Sequence, residues 1–235
     1  IDCNILTNNE RTLLWSMIIR KFIPQNSLRK IDYKRNEFTF KQIYSLKRDG
    51  QSIKSFQNCC CNKGSTLVLI HTKKNYIFGG FTSISWCKTI LKKSIKDHYA
   101  FLISIKRGGY FDERNMQSNQ DKTMSVILRE RNLKRKNKKS NKFKLIDCDD
   151  NIYVPIIFDI EEKYVNKAVI HTKKYGFCFG NETFYIKKSK NDEYICVLND
   201  NKEYGMNEAL TNKIRGSLSN ELIIKNCEVF QINIP

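Results

Sequence analysis

Residues 64–86 constrain the fold more than any other stretch. A run rich in β-branched and large apolar side chains, Thr66 to Thr72, meets the polar corner Lys73, Lys74 and Asn75, and a second apolar run then ends on Gly79 and Gly80. That pattern predicts a β-hairpin. Two residues without Cβ permit a sharp bend or the close approach of another backbone. Phe81 and Trp86, on either side of the expected bend, are large enough to plug a core.

The rest of the chain is placed around this hairpin. Asn8 or Asn9 is the expected cap of a helix over 11–21, with Leu13, Leu14, Met17, Ile18 and Phe22 on one face and Pro24 as its stop. Residues 38–46 suit a strand, Arg48, Asp49 and Gly50 a turn, and 52–56 a short helix leading into Cys59, Cys60 and Cys61. Beyond the hairpin, 87–97 reads as a polar connection and 99–105 as a buried strand. Short strand-like runs then recur at 153–160, 168–172, 177–179, 184–187, 194–198, 222–225 and 227–232, separated by Asn, Asp and Gly turns. The expected fold class is therefore mainly β (α+β): two antiparallel sheets in a sandwich, edged by a few helices. The pentapeptide Ile-His-Thr-Lys-Lys occurs at both 70–74 and 170–174, too short a match to establish a duplication.

With 40% hydrophobic residues, 14 Phe and 11 Tyr, the 235 residues hold enough apolar surface for a sizeable core. They are read as a single domain spanning 1–235. Residues 112–150 are expected to be a mostly mobile basic insertion within it, with a helix over 125–133, because Asn, Lys, Arg, Gln and Ser bury too little to offset their ordering entropy. The net charge is +18, and residues 129–144 carry nine basic residues against one acid, a net of +8. Arg129, Arg131, Lys134, Arg135, Lys136, Lys138, Lys139, Lys142 and Lys144 are the candidate contacts to an anionic partner; the plainer alternative is a solvated loop.

No apolar run is long enough to predict a transmembrane helix. The opening Ile-Asp-Cys-Asn reads as the start of an excised fragment, so flanking domains are expected beyond it. Nine cysteines with no CxxC point to reduced structural thiols and a cytoplasmic location.

Motifs for chemistry are sparse. Neither GxxxxGK[ST] nor GxGxxG, GxSxG or HExxH occurs, and no cofactor, catalytic or metal residue is assigned. His71 and His171 would approach each other only if their strands face, and a structural role is the simpler reading. A pairing of Cys87 with His98 lacks any orienting motif. Glu161 and Glu162 read as solvated turn carboxylates. Gly79 and Gly80 offer backbone amides as an anion site, against the simpler demand for small residues at a bend. Cys59 to Cys61, placed in a loop near Lys63, is the candidate for thiol redox activity.

Several ordered blocks carry a family likeness. Ile5-Leu6-Thr7, Ile43-Tyr44-Ser45, Arg48-Asp49-Gly50-Gln51-Ser52 and Lys63-Gly64-Ser65-Thr66-Leu67 are followed by Ile77-Phe78-Gly79-Gly80-Phe81-Thr82-Ser83 and Trp86. Ala100-Phe101-Leu102, Phe179-Gly180 and Ile223-Ile224-Lys225-Asn226-Cys227-Glu228-Val229-Phe230 complete the set. In these blocks the chain resembles the TLDc domain of the oxidation-resistance proteins. Its signature positions are Gly64, Gly79, Gly80, Phe81, Trp86, Phe179 and Gly180. A shorter glycine run at Phe179-Gly180-Asn181, Phe230 where the family usually has Trp, and the long insertion depart from the pattern. The resemblance implies a sandwich edged by helices and a non-catalytic module that binds the peripheral sector of the vacuolar-type proton-pumping ATPase. It also implies a part in oxidative-stress resistance and a peripheral place on organelle membranes. Two other classes stand beside it: a scaffold on nucleic acid, anionic membrane or filament through the basic insertion, and thiol chemistry at Cys59 to Cys61.

Overall fold

The computed structural model describes residues 3–22, 38–89, 91–106, 155–189, 193–200, 202–215 and 219–234. Helix α1 (Asn8–Phe22) begins where Thr7 and Glu10 cap one another: the Glu10 amide donates to Thr7 Oγ1 at 3.3 Å, and the Thr7 amide donates to Glu10 Oε2 at 2.9 Å. Thr7, not Asn8 or Asn9, is the cap, because a hydroxyl with a glutamate three residues on satisfies two orphan amides at once. Trp15 and Ile19 are buried along with Leu14, Met17 and Ile18, so the helix presents a wider face than the anticipated stripe.

Strand β1 (Thr39–Ser45) leads into the single helical turn α2 (Leu46–Asp49), closed by Gly50 at φ +89°. Helix α3 (Ile53–Cys60) starts at Ser52, whose hydroxyl accepts from the Ser55 amide at 2.8 Å. No Gly or Pro interrupts it before Cys61, so Cys59 and Cys60 stand on a helix and not in the expected loop. Strands β2 (Thr66–Thr72) and β3 (Ile77–Thr82) form the hairpin, in register from Thr66 opposite Thr82 to His71 opposite Ile77.

The stretch expected as a plain connection contains β4 (Lys93–Ile95), three polar or half-buried residues that announce themselves only by pairing with a later strand. Tyr99, expected to open a buried strand, is 60% exposed in the turn before β5 (Phe101–Lys106). After β6 (Ile156–Asp159) and a 3-10 turn (Glu162–Lys167) come β7 (Val169–His171), β8 (Cys178–Phe179), β9 (Phe184–Lys188) and β10 (Tyr194–Leu198). Helix α4 (Glu208–Arg215), absent from the sequence reading, precedes β11 (Glu221–Asn233).

Strand β11 joins the two sheets. The two runs expected on either side of Asn226 are one continuous strand, pairing with β10 through residues 221–223 and with β2 and β1 farther along. Its register with β2 slips between Ile224 and Asn226, and such a bulge lets a strand bend from one sheet into another. One sheet runs β1-β11-β2-β3-β5-β6 and the other β11-β10-β9-β8-β7-β4, with every neighbouring pair antiparallel. The mainly β, α+β sandwich read from the sequence is the observed class.

The faces of β2 and β3 divide the core. Val68, Ile70 and Phe78 point to the interior, where they join Phe177, Phe179, Phe184, Ile186 and Cys196 of the second sheet. Leu67, Leu69 and Phe81 point the other way, against Leu14, Trp15 and Ile18 of α1. There Trp15 stacks on Phe40 at 4.4 Å between centroids and meets Phe230 edge-on at 5.5 Å. The described residues fall within one compact unit built from Ile1–Gly108 and Tyr153–Pro235. The anticipated insertion over 112–150, its helix over 125–133 and all nine basic contacts lie outside the described residues.

Candidate functional site

The signature positions meet mostly inside the sandwich. Gly79 and Gly80 do not end the strand; both sit within β3, paired with Leu69 and Val68. A Cβ on Gly80 would stand 2.7 Å from the Phe179 ring, and one on Gly79 would stand 2.2 Å from the Val68 carbonyl oxygen. The second glycine is thus small so that the opposite sheet can lay a phenyl ring on it, and the first lies hard against its own hairpin partner. Trp86, 2% exposed, meets Phe179 edge-on at 5.4 Å and donates from Nε1 to Thr66 Oγ1 at 2.8 Å. Gly180 takes φ +60° where a Cβ would strike Thr183 Oγ1 at 2.2 Å. Phe81 faces away from this joint, stacked on Phe101 at 4.9 Å under α1, and Gly64 turns the chain at φ +71° with open space around it.

Two buried carboxylates hold the segments around the joint. Asp97 accepts from Thr82 Oγ1 at 2.7 Å, the Ser83 amide at 2.8 Å, Ser83 Oγ at 2.7 Å and the Tyr99 amide at 3.0 Å. It ties the end of β3 to the turn that starts β5. Glu228, fully buried on β11, accepts from the Asn4 amide at 3.1 and 3.2 Å and from Asn226 Nδ2 at 3.2 Å. Burial and that carboxylate push the Cys3 thiol up to about 12, which keeps it protonated. Sequence reading passed over Asp97 as part of a polar connection; the hydroxyl pair Thr82-Ser83 awaiting an acceptor was its only local signal.

The candidate reactive groups are scattered. Burial raises the thiols of Cys59, Cys60 and Cys61, although Arg48 and Lys63 act against this at Cys59 and Lys88 does so at Cys61. The low-lying thiolate that redox activity at the triplet requires is not what these surroundings favour. His71 Nε2 lies 2.8 Å from Asn75 Oδ1 in the hairpin turn, whereas the His171 ring packs by Trp86 at 6.0 Å. The two histidines serve different neighbours. His98 Nδ1 faces Glu162 at 3.5 Å and Cys87 Sγ faces the Lys88 carbonyl at 3.6 Å, so neither is engaged with the other. Glu161 pairs with Lys163 at 3.0 Å in the partly exposed turn anticipated for it. Among the described residues no group of three His, Cys, Asp or Glu side chains is placed to hold a metal ion, and no helix is long and apolar enough to cross a membrane.

His171 gives a pH prediction. Its buried Nε2 has no hydrogen-bond partner, and burial first, then the Lys93 ammonium, lowers its pKa below the ordinary 6.5. The unfolded chain takes up this proton before the folded one does. Stability from the neutral ring is therefore complete above the ordinary value and is lost as pH falls through the lowered folded value. Melting temperature should drop on acidification from about pH 7 to about pH 5, and His171→Gln should flatten that slope. An unchanged slope in the variant contradicts the assignment.

The comparisons agree with this architecture. The family model described as the TLDc domain matches residues 3–129. The MTOR-associated protein MEAK7 of Danio rerio is 38% identical over 47 residues, covering 20% of this chain and 10% of that protein. The chain thus matches about a tenth of that relative's length. With more than half of its residues matched and the signature glycines and aromatics packed across two antiparallel sheets, the chain belongs to the TLDc domain family.

Proposed function

We propose that the chain is a non-catalytic protein-interaction module that binds the peripheral sector of the vacuolar-type proton-pumping ATPase and so contributes to oxidative-stress resistance. The observation that carries this reading is the use of the signature side chains in packing. Gly79, Gly80, Trp86, Phe179 and Gly180 are spent on joining the sheets, so recognition falls to the outer surface. Family membership supports a protein partner, and the relative from Danio rerio is itself named for association with another protein. A module of this kind acts by differential affinity, favouring whichever state of the pump, assembled or separated, it binds more tightly. The purified chain should retain the pump's peripheral subunits in a pull-down; failure to retain any of them overturns the proposal.

A second reading rests on a separate observation, the net +8 over residues 129–144. Arg129 to Lys144 would then hold nucleic acid, an anionic membrane or a filament through charge, and binding would weaken steeply with salt. Each reading places the protein in the cytoplasm, at the surface of whatever it binds. The single-domain organisation over 1–235, with 112–150 as an insertion, belongs to the same proposal.

A further inference from the structure

Strand β4 is the thinnest part of the second sheet. It lies at the edge and pairs with β7, Lys93 opposite His171, Ser94 opposite Ile170 and Ile95 opposite Val169. Lys93 and Ser94 are exposed, and Ile95 packs against the core only in part. The contacts on either side of the strand are few. The Lys173 amide donates to the Thr89 carbonyl at 3.0 Å, the Lys92 ammonium pairs with Glu182 at 2.9 Å, and the Asp97 amide donates to the Val165 carbonyl at 3.1 Å.

His171 sits beneath this strand, 6% exposed, with its ring 6.0 Å from that of Trp86 and with no hydrogen-bond partner at Nε2. The groups around it from other elements are neutral apart from one. Trp86 carries no charge, and the Cys61 thiol bridged to it is raised by burial and stays protonated. From α3 comes the Gln57 amide, which donates to the Thr172 carbonyl at 3.4 Å. From β4 comes the Lys93 ammonium, on the same face because residues directly opposite in an antiparallel pair share a face. Glu182, the carboxylate that pairs with this segment, is engaged by Lys92. A proton on the ring therefore makes a buried cation with no acceptor at Nε2 and a second cation across the strand pair. The ring regains water with least disruption where its cover is thinnest, at β4.

We propose that His171 and Lys93 form an acid-sensitive latch: β4 lies on β7 while the ring is neutral and leaves the sheet when the ring takes up a proton, the rest of the sandwich staying folded. Release makes β7 the edge of the sheet, with backbone N–H and C=O groups open to another strand. The direction follows from linkage. Burial and the Lys93 ammonium weaken proton binding in the closed sheet, so the released state binds the proton more tightly and acid favours it. The released population rises by up to about tenfold for each unit by which the ring's pKa differs between the two states. This inference is independent of the partner reading.

The test is amide hydrogen exchange of the full chain between about pH 7 and about pH 5, corrected for the intrinsic pH dependence of exchange. Protection over Lys93–Ile95 and Val169–His171 should fall with acid, while that of Leu67–Ile70 in β2 holds. In His171→Gln, whose side chain does not titrate, protection of β4 should stay level. Lys93→Glu, at an exposed position, sets a carboxylate opposite the ring and favours its charged form in the closed sheet, so the fall should be smaller than in the native chain. Three results overturn the proposal: β4 protection that does not change with pH in the native chain, an equal fall in His171→Gln, or loss of protection in β4 and β2 together, which is global unfolding and not release of a strand.

Discussion

Trp86→Ala should cost about 3–5 kcal/mol, the usual range for removing a large buried aromatic side chain. The indole is 2% exposed and contacts the Phe179, Phe177 and His171 rings, with centroids at 5.4, 6.3 and 6.0 Å. Truncation removes that contact from both sheets together and leaves the buried Thr66 hydroxyl without its Nε1 donor. Domains of this size are typically stable by only about 5–15 kcal/mol, so the variant should sit near the edge of folding. Trp86→Phe keeps much of the volume and loses the hydrogen bond, so its loss should be smaller. Urea denaturation of both variants gives the comparison, and a Trp86→Ala midpoint matching the native one removes the indole from its place at the joint.

Asp97→Ala should cost about 3 kcal/mol or more, since each buried donor left unsatisfied costs about 1–3 kcal/mol. The carboxylate accepts four hydrogen bonds at 2.7 to 3.0 Å, and the Thr82 hydroxyl it serves is fully buried. Asp97→Asn keeps the shape but turns one acceptor into a donor facing donors, so an intermediate loss is expected. Amide exchange at Ser83 and Tyr99 should quicken in both variants. Unaltered exchange at these two amides means the carboxylate does not hold the segment.

The strands that the sequence revealed are those whose apolar runs are long enough to carry a signal. Thr66 to Thr72 and Tyr194 to Leu198 are buried along their length apart from His71, and both were legible as strands. Lys93 to Ile95 was not, because three residues at a sheet edge are held by pairing with Val169 to His171, a contact that no local pattern records. Asn226 looked like a break between two strands because Asn favours turns. Within the fold its side chain instead donates to the buried Glu228, and the strand passes through.

The site was legible as residue types and not as contacts. Gly79-Gly80 signalled a special backbone position, and its reading as a bend or a close approach followed from two adjacent residues without Cβ. Only the fold shows that Gly80 is small because Phe179, distant in sequence, covers it. The cysteine triplet misled for the opposite reason. Three neighbouring thiols suggest a loop with shared chemistry, whereas the Ser52 cap commits the segment to a helix that buries Cys60.

The central claim is that recognition belongs to the sandwich surface and that the signature residues build the joint beneath it. Affinity for the pump's peripheral sector, measured at low and moderate salt for the native chain and for a variant with all nine basic residues of 129–144 changed to Gln, tests it directly. The account predicts that binding persists in the variant and changes little with salt. Binding that collapses with the nine charges, and falls steeply with salt in the native chain, would contradict it.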